Sequence, residues 1–222
     1  MNMNDECTAI WQWSDDGDNK DITRQAADIL RAGDLVAYPT ETVYGLGANG
    51  LDPQAVEKVY KVKKRPSTKP LLLAVSGRAM VNDVAAHVPD AAEILMKEFW
   101  PGPLSIVLRR KSSVPAVVAA DGPTIGVRCP DHPVPQKLVQ TLGSPITSPS
   151  ANLSGKPSCT TAQQVLKDLQ DQIAGIIDAG RCEGGIESTV VQVTSESFQV
   201  LRPGAVTRQQ IEDCLGACQV EF

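Results

Sequence analysis

Apolar and polar positions along the chain follow two periods, and the alternation between them predicts its elements. Ile22, Ala26, Ile29 and Leu30 recur at helical spacing, and Gly33 follows as a stop, so a helix is expected over 21–31. DLVAYPT then reads as a short buried strand running into a loop. Asp52 followed by Pro53 is a cap-then-proline helix start. That helix is expected to run to Arg65, because Pro66 cannot continue it. PLLLAVS, LSIVLRR, TIGVRCP and SPITS read as buried strands. Helices are expected over 79–86, 90–99 and 134–142, with WPGP breaking the chain before LSIVLRR. A helix over 160–172 would be capped by Thr160 or Thr161. GIIDAG, STVVQV and FQVLRPG are the last strands, the final two forming a hairpin around 194–197, and a helix closes the chain at 207–215.

Strands and helices alternate for most of the length, which predicts α/β layers. The neighbouring strands near the C-terminus require antiparallel pairing, so the sheet is expected to be mixed. No repeat, low-complexity tract or long polar linker divides the 222 residues. One domain over 21–222 is expected, preceded by an extension over 1–20 that carries a short strand at 9–13.

Composition narrows the function classes. A net charge of -5 disfavours non-specific binding of nucleic acid, which needs clustered Lys and Arg. Aromatic residues are 4% of the chain, too few for an extended base-stacking platform. The N-terminus is polar and acidic, and no apolar run approaches the length of a membrane span, so a cytoplasmic protein is expected. Cys7, Cys129, Cys159, Cys182, Cys214 and Cys218 show no CxxC spacing and read as reduced thiols. Cys214 and Cys218 are expected as neighbours on the closing helix.

Four segments carry residue types that a core does not need. In PTETVYGLG, Thr40, Glu41 and Thr42 follow a strand, where open α/β sheets bind ligands. Gly45 and Gly47 there permit a close backbone approach or a positive φ, and a capped turn accounts for the same residues. KVKKRPSTKP places Lys61, Lys63, Lys64, Arg65 and Lys69 within nine residues of an acidic chain. Phosphate binding, a solvated charged face and RNA-backbone binding all fit that cluster. Helix-dipole compensation alone does not call for such density. SPSANLSGKPS supplies hydroxyl and amide groups from Ser148, Ser150, Asn152, Ser154 and Ser158, able to meet phosphate, ribose or carboxylate oxygens. GGIESTVVQV and LRPGAV add Glu187, Ser188, Thr189 and Arg202. His87 and His132 are isolated and GxSxG is absent, which disfavours a serine nucleophile. No Walker P-loop, GxGxxG fingerprint or metal-ligand spacing occurs.

In this order, with WPGPLS, TIGVRCPDHP and ESTVV between them, the segments resemble the YrdC-like (TsaC-like) family of threonylcarbamoyl-adenylate synthases over residues 22 to 215. The resemblance implies an α/β fold with a twisted open mixed sheet, flanked by helices around a large basic cleft. It implies L-threonine, bicarbonate or CO2 and ATP as substrates, with Mg²⁺, and threonylcarbamoyl-AMP and pyrophosphate as products. Downstream tRNA-modification proteins would be partners. It gives catalytic roles to Lys63 and Arg65 and ATP contacts to Arg65, Lys69, Thr124, Ser150, Asn152, Ser158 and Arg202. Thr42, Arg128, Ser148 and Ser188 would surround threonine. Ala74 stands where the family often has His, and Lys64 where it frequently has Gly. The C-terminal domain of longer relatives is expected to be absent. The rival readings are an RNA-binding module without adenylate-forming activity and a carbamoyl-transferring relative of the kind used in metalloenzyme maturation.

Overall fold

A computed structural model describes residues 7–217. The first six residues of the expected extension, and Cys218, lie outside the described residues. The expected α/β fold with mixed pairing is observed, its strands divided between two hydrogen-bonded sheets.

The four-stranded sheet has the order β1 (Ala9–Gln12), β8 (Gly175–Asp178), β2 (Val36–Tyr38), β3 (Gly45–Gly47). The first three strands are parallel, and β3 returns antiparallel to β2. The six-stranded sheet has the order β10 (Phe198–Arg202), β9 (Thr189–Val193), β5 (Leu104–Arg109), β6 (Thr124–Arg128), β4 (Leu72–Ala74), β7 (Ile146–Thr147). Pairings β9–β5 and β6–β4 are parallel, and the other three are antiparallel. Isolated bridges from Gly45 to Ser150 and from Asn49 to Ile146 join the two sheets.

Strand side chains alternate between faces, and here the two faces meet different helices. Val36, Tyr38 and Ile177 pack with Ala26, Ala27 and Leu30 of α1 (Lys20–Arg31) and with Leu138 and Val139 of α5 (Pro133–Leu142). Their neighbours Ala37 and Ile176 join the larger cluster. That cluster also takes Val56 and Val59 of α2 (Pro53–Lys63), Val81 of α3 (Arg78–Val84) and Leu95 of α4 (Asp90–Phe99). Val165 of α6 (Ala162–Leu169) and Ile211 of α7 (Arg208–Ala217) complete it. Burial on both faces explains why β2, β5 and β8 read as continuous apolar runs. At the edge, β10 alternates between half-buried and exposed positions.

Local signals act where the chain places them. Asp52 accepts from the Gln54 amide at 2.9 Å and starts α2. Thr161 caps α6 through a capping box with Gln164, so that helix spans Ala162–Leu169, shorter than expected. Helix α2 ends before Arg65 because Lys64 turns left-handed at φ 50°, and the Lys64 and Arg65 amides bond back to Lys61 and Tyr60. The conformation supplies a physical reason for glycine at this position.

The GLG of PTETVYGLG, for which a capped turn was one reading, forms β3. A Cβ on Gly45 would lie 2.9 Å from the Tyr38 ring, and one on Gly47 3.1 Å from it. The two glycines thus serve close approach, with no positive φ at either.

Candidate active-site cleft

One face of the six-stranded sheet forms the floor of a cleft of about 560 Å³. Period-two spacing brings Thr124, Gly126 and Arg128 of β6 onto that face, together with Leu72, Val107, Val190 and Gln192. A Cβ on Gly126 would lie 2.2 Å from Leu72, so glycine keeps the floor low there. Three segments rise around it: the end of α2 with its KRPSTKP extension, the Ser-rich loop after β7, and the strand-end pair of Glu187–Ser188 and Arg202. Thr42 enters from the loop after β2.

The twelve residues to which the resemblance gives roles all line this one cleft: Thr42, Lys63, Arg65, Lys69, Thr124, Arg128, Ser148, Ser150, Asn152, Ser158, Ser188 and Arg202; Thr40, Glu41, Lys61, Lys64 and Thr189 of the same segments do not. The twelve are not equally available to a ligand. The Lys63 ammonium is buried and donates to the carbonyls of Ser150 and Asn152, the latter at 2.6 Å. It ties the end of α2 to the Ser-rich loop. Burial, with the nearby Arg65 charge adding to it, pulls its pKa down to about 8. Asn152 is likewise committed, its amide donating to the Leu153 and Lys156 carbonyls at 3.0 and 2.7 Å.

Arg65 donates to the carbonyls of Lys69 at 3.1 Å and Pro70 at 2.9 Å, which shapes the KP turn from the side chain outward. Burial holds the Arg65 pKa below its ordinary value, and Arg202 pushes in the same direction. Arg202 is hydrogen-bonded to the Glu187 carboxylate and to the Ser188 carbonyl at 2.8 Å. Ser158 donates to the same carboxylate at 2.6 Å. Arg128 is buried, its Nε donating to the Gly102 carbonyl at 3.0 Å and its Nη1 to Thr42 Oγ1 at 3.1 Å. Ser188 shares a hydrogen bond of 2.8 Å with Ser105.

Two carboxylates were not assigned roles from the sequence. Glu187 joins Ser158 to Arg202 within the lining, and Glu41 lies 2.6 Å from Arg128 Nη2. The position of Glu41 inside PTET was the available signal, but its partner is 87 residues away. Lys156 and Gln192 also line the cleft, Lys156 being paired with Asp168 at 2.7 Å. Among the described residues no group of three or more His, Cys, Asp or Glu is arranged to hold a metal ion. The thiols of Cys129, Cys159 and Cys182 are buried, and burial pushes each up to about 11, away from nucleophilic use.

The domain family Sua5_yciO_yrdC, described as Telomere recombination, matches residues 28–204. The chain belongs to this family. Within it, the chain is 45% identical over 198 residues to a Bacillus subtilis protein named threonylcarbamoyl-AMP synthase, covering 89% of this chain and 57% of that one. A Vibrio cholerae protein of the same name is 38% identical over 183 residues, covering 82% of this chain and 96% of that one. The solved structure of P. abyssi Sua5 complexed with L-threonine superposes with a TM-score of 0.89 at 40% identity, covering 96% of this chain and 62% of that one. The chain thus spans little more than half the length of the Bacillus relative. Among the described residues, no helix is long and apolar enough to cross a membrane.

Proposed function

We propose that this chain is an L-threonylcarbamoyladenylate synthase, with residues 21–222 as its catalytic domain. The observation that carries the reading is the convergence of four sequence-distant segments on one cleft. Six cationic side chains line that cleft (Lys63, Arg65, Lys69, Arg128, Lys156 and Arg202), against the single carboxylate of Glu187. A triphosphate and an amino-acid carboxylate are the ligands such a lining suits.

Arg65, Lys69 and Arg202 bind the phosphates of ATP, with the hydroxyls of Thr124, Ser150 and Ser158 as neutral donors. Lys63 and Asn152 hold the Ser-rich loop in place, and the Lys63 charge lies beneath the phosphates. Arg128 takes the α-carboxylate of threonine, with Thr42, Ser148 and Ser188 around the rest of the molecule.

The reaction begins when bicarbonate dehydrates to CO2 and hydroxide. The threonine amine attacks CO2, forming a C–N bond and releasing a proton, to give a carbamate. A carbamate oxygen then attacks the α-phosphorus of ATP, and the bond from that phosphorus to the departing pyrophosphate breaks. No covalent intermediate on the protein is needed. Positioning and neutralisation of charge on the phosphoryl oxygens supply the catalysis.

Mg²⁺ accompanying ATP would be held chiefly by phosphate oxygens and water, a mode that needs no protein cage, with Glu187 as the carboxylate within the lining. It would supply further charge neutralisation. The adenylate product passes to proteins that modify adenosine in tRNA, and these steps take place in the cytoplasm.

Pyrophosphate release from ATP, measured with and without threonine and bicarbonate, tests the reading. Release that requires both is expected. RNA binding with steep salt dependence and no release under any combination would replace it with the RNA-binding alternative.

A further inference from the structure

Glu41 sits behind the cleft wall, outside the lining itself. Its Oε1 lies 2.6 Å from Arg128 Nη2, with the Glu41 side chain 22% exposed and that of Arg128 6% exposed. Yet both carboxylate oxygens and that Nη2 are buried without an aligned hydrogen bond. The Arg202–Glu187 pair differs in both respects, being more exposed and hydrogen-bonded. A buried pair held by charge alone recovers little of its desolvation cost, so stability is a poor reason for it.

Its geometry offers a better one. The Arg128 guanidinium is fixed on three sides: Nε by the Gly102 carbonyl, Nη1 by Thr42 Oγ1, and Nη2 by the Glu41 charge. Glu41 is itself held. Its carbonyl accepts from the Gly184 amide at 3.0 Å. Thr40 Oγ1 accepts from the amides of Thr42 and Val43, each at 3.2 Å, and so fixes the turn that carries Glu41. With Nη2 buried against Glu41 and Nε spent on the Gly102 carbonyl, one N–H of Nη1 beyond the one given to Thr42 stays unspent. Arg128 lines the cleft, and that N–H together with the guanidinium charge suffices for a carboxylate contact.

We infer that Glu41 is a positioning residue for the amino-acid substrate, fixing by charge the orientation in which Arg128 meets the substrate carboxylate. The inference rests on the reading of Arg128 as the threonine carboxylate ligand. The test uses the full chain and its variants Glu41→Gln, which keeps the shape and removes the charge, and Glu41→Asp, which keeps the charge one methylene further back. KM for L-threonine and for ATP are measured by pyrophosphate release, alongside thermal melting.

In Glu41→Gln, KM for threonine should rise about tenfold or more, the scale expected when a positioning contact is lost. KM for ATP should stay within about twofold of the parent value. Glu41→Asp should fall between, and serves alone if Glu41→Gln does not fold. An unchanged or lowered KM for threonine overturns the inference, as does an equal rise in both KM values accompanied by a lower melting temperature. If the parent protein shows no threonine-dependent release, the functional reading fails and the inference falls with it. If the parent is active and both variants match it, only the inference falls.

Discussion

Replacing Lys64 with glycine separates fold from function at the edge of the cleft. Lys64 closes α2 at φ 50° and ψ 39°, with its side chain exposed and outside the cleft lining. A side-chain-bearing residue in that region costs about 1–2 kcal/mol, because its Cβ crowds the following carbonyl. Glycine removes that cost but loosens the unfolded chain, which returns about 0.4–1 kcal/mol. The balance is a stabilisation of about 0–1.6 kcal/mol, with about 0.8 kcal/mol at the middle of both ranges. For a chain of this size the middle value corresponds to a rise of about 2–3 °C in melting temperature. Urea unfolding should show a higher midpoint with an unchanged slope. Lys64→Ala is the control: it removes the same charge, keeps the Cβ and should not stabilise. Turnover and KM for ATP should match the parent in both variants. A lower midpoint for Lys64→Gly, or equal stabilisation by both variants, would refute the backbone argument and point to charge repulsion among Lys61, Lys63, Lys64 and Arg65.

Other outcomes follow from the same geometry. Arg65→Ala should lower pyrophosphate release at least about 100-fold, the loss expected for two charge-assisted hydrogen bonds, while circular dichroism shows a retained fold. Near-normal rates would reject Arg65 as a phosphate ligand. With the Lys63 pKa pulled down to about 8 by burial, raising the pH through that value discharges the ammonium, so turnover should fall above about pH 8. The stability effect runs the other way. The unfolded chain holds the Lys63 proton up to its ordinary 10.5, so the penalty of the buried charge is full below about 8 and fades as pH rises towards 10.5. A flat rate profile across that window would count against a working charge on Lys63. Gly204→Ala should destabilise by about 1–3 kcal/mol and reduce turnover, since the new Cβ would lie 2.4 Å from the Glu187 carbonyl and displace the Glu187–Ser188 strand start. Unfolding curves and initial rates on the same preparation check both parts.

Much of the local structure was legible because its causes are local. The helix at Asp90–Phe99 lies within its expected bounds, and the Asp52 and Thr161 caps act on amides two and three residues away. The strand at Gly45–Gly47 was not legible, since glycine carries neither a period-two pattern nor a β-forming side chain. What makes it a strand is its antiparallel pairing with Val36–Tyr38, and the Tyr38 ring lying against both glycines leaves no room for a side chain there.

The candidate site divides the same way. The residue types in the four segments, and their order along the chain, marked a candidate chemistry without any fold. Whether those residues could meet was a question of strand order. Placing β4 between β6 and β7 sets Arg128 across from Ala74 and Ser148 across from Leu72, and the return from β9 to β10 carries Arg202 back to Ser188. Only the tertiary structure decided that the Lys63 ammonium is taken up by two carbonyls of the Ser-rich loop, or that Glu41 faces Arg128. Caps and turns are settled over a few residues by backbone hydrogen bonds. The partner of a buried charge is settled by which distant segments the packed core forces together.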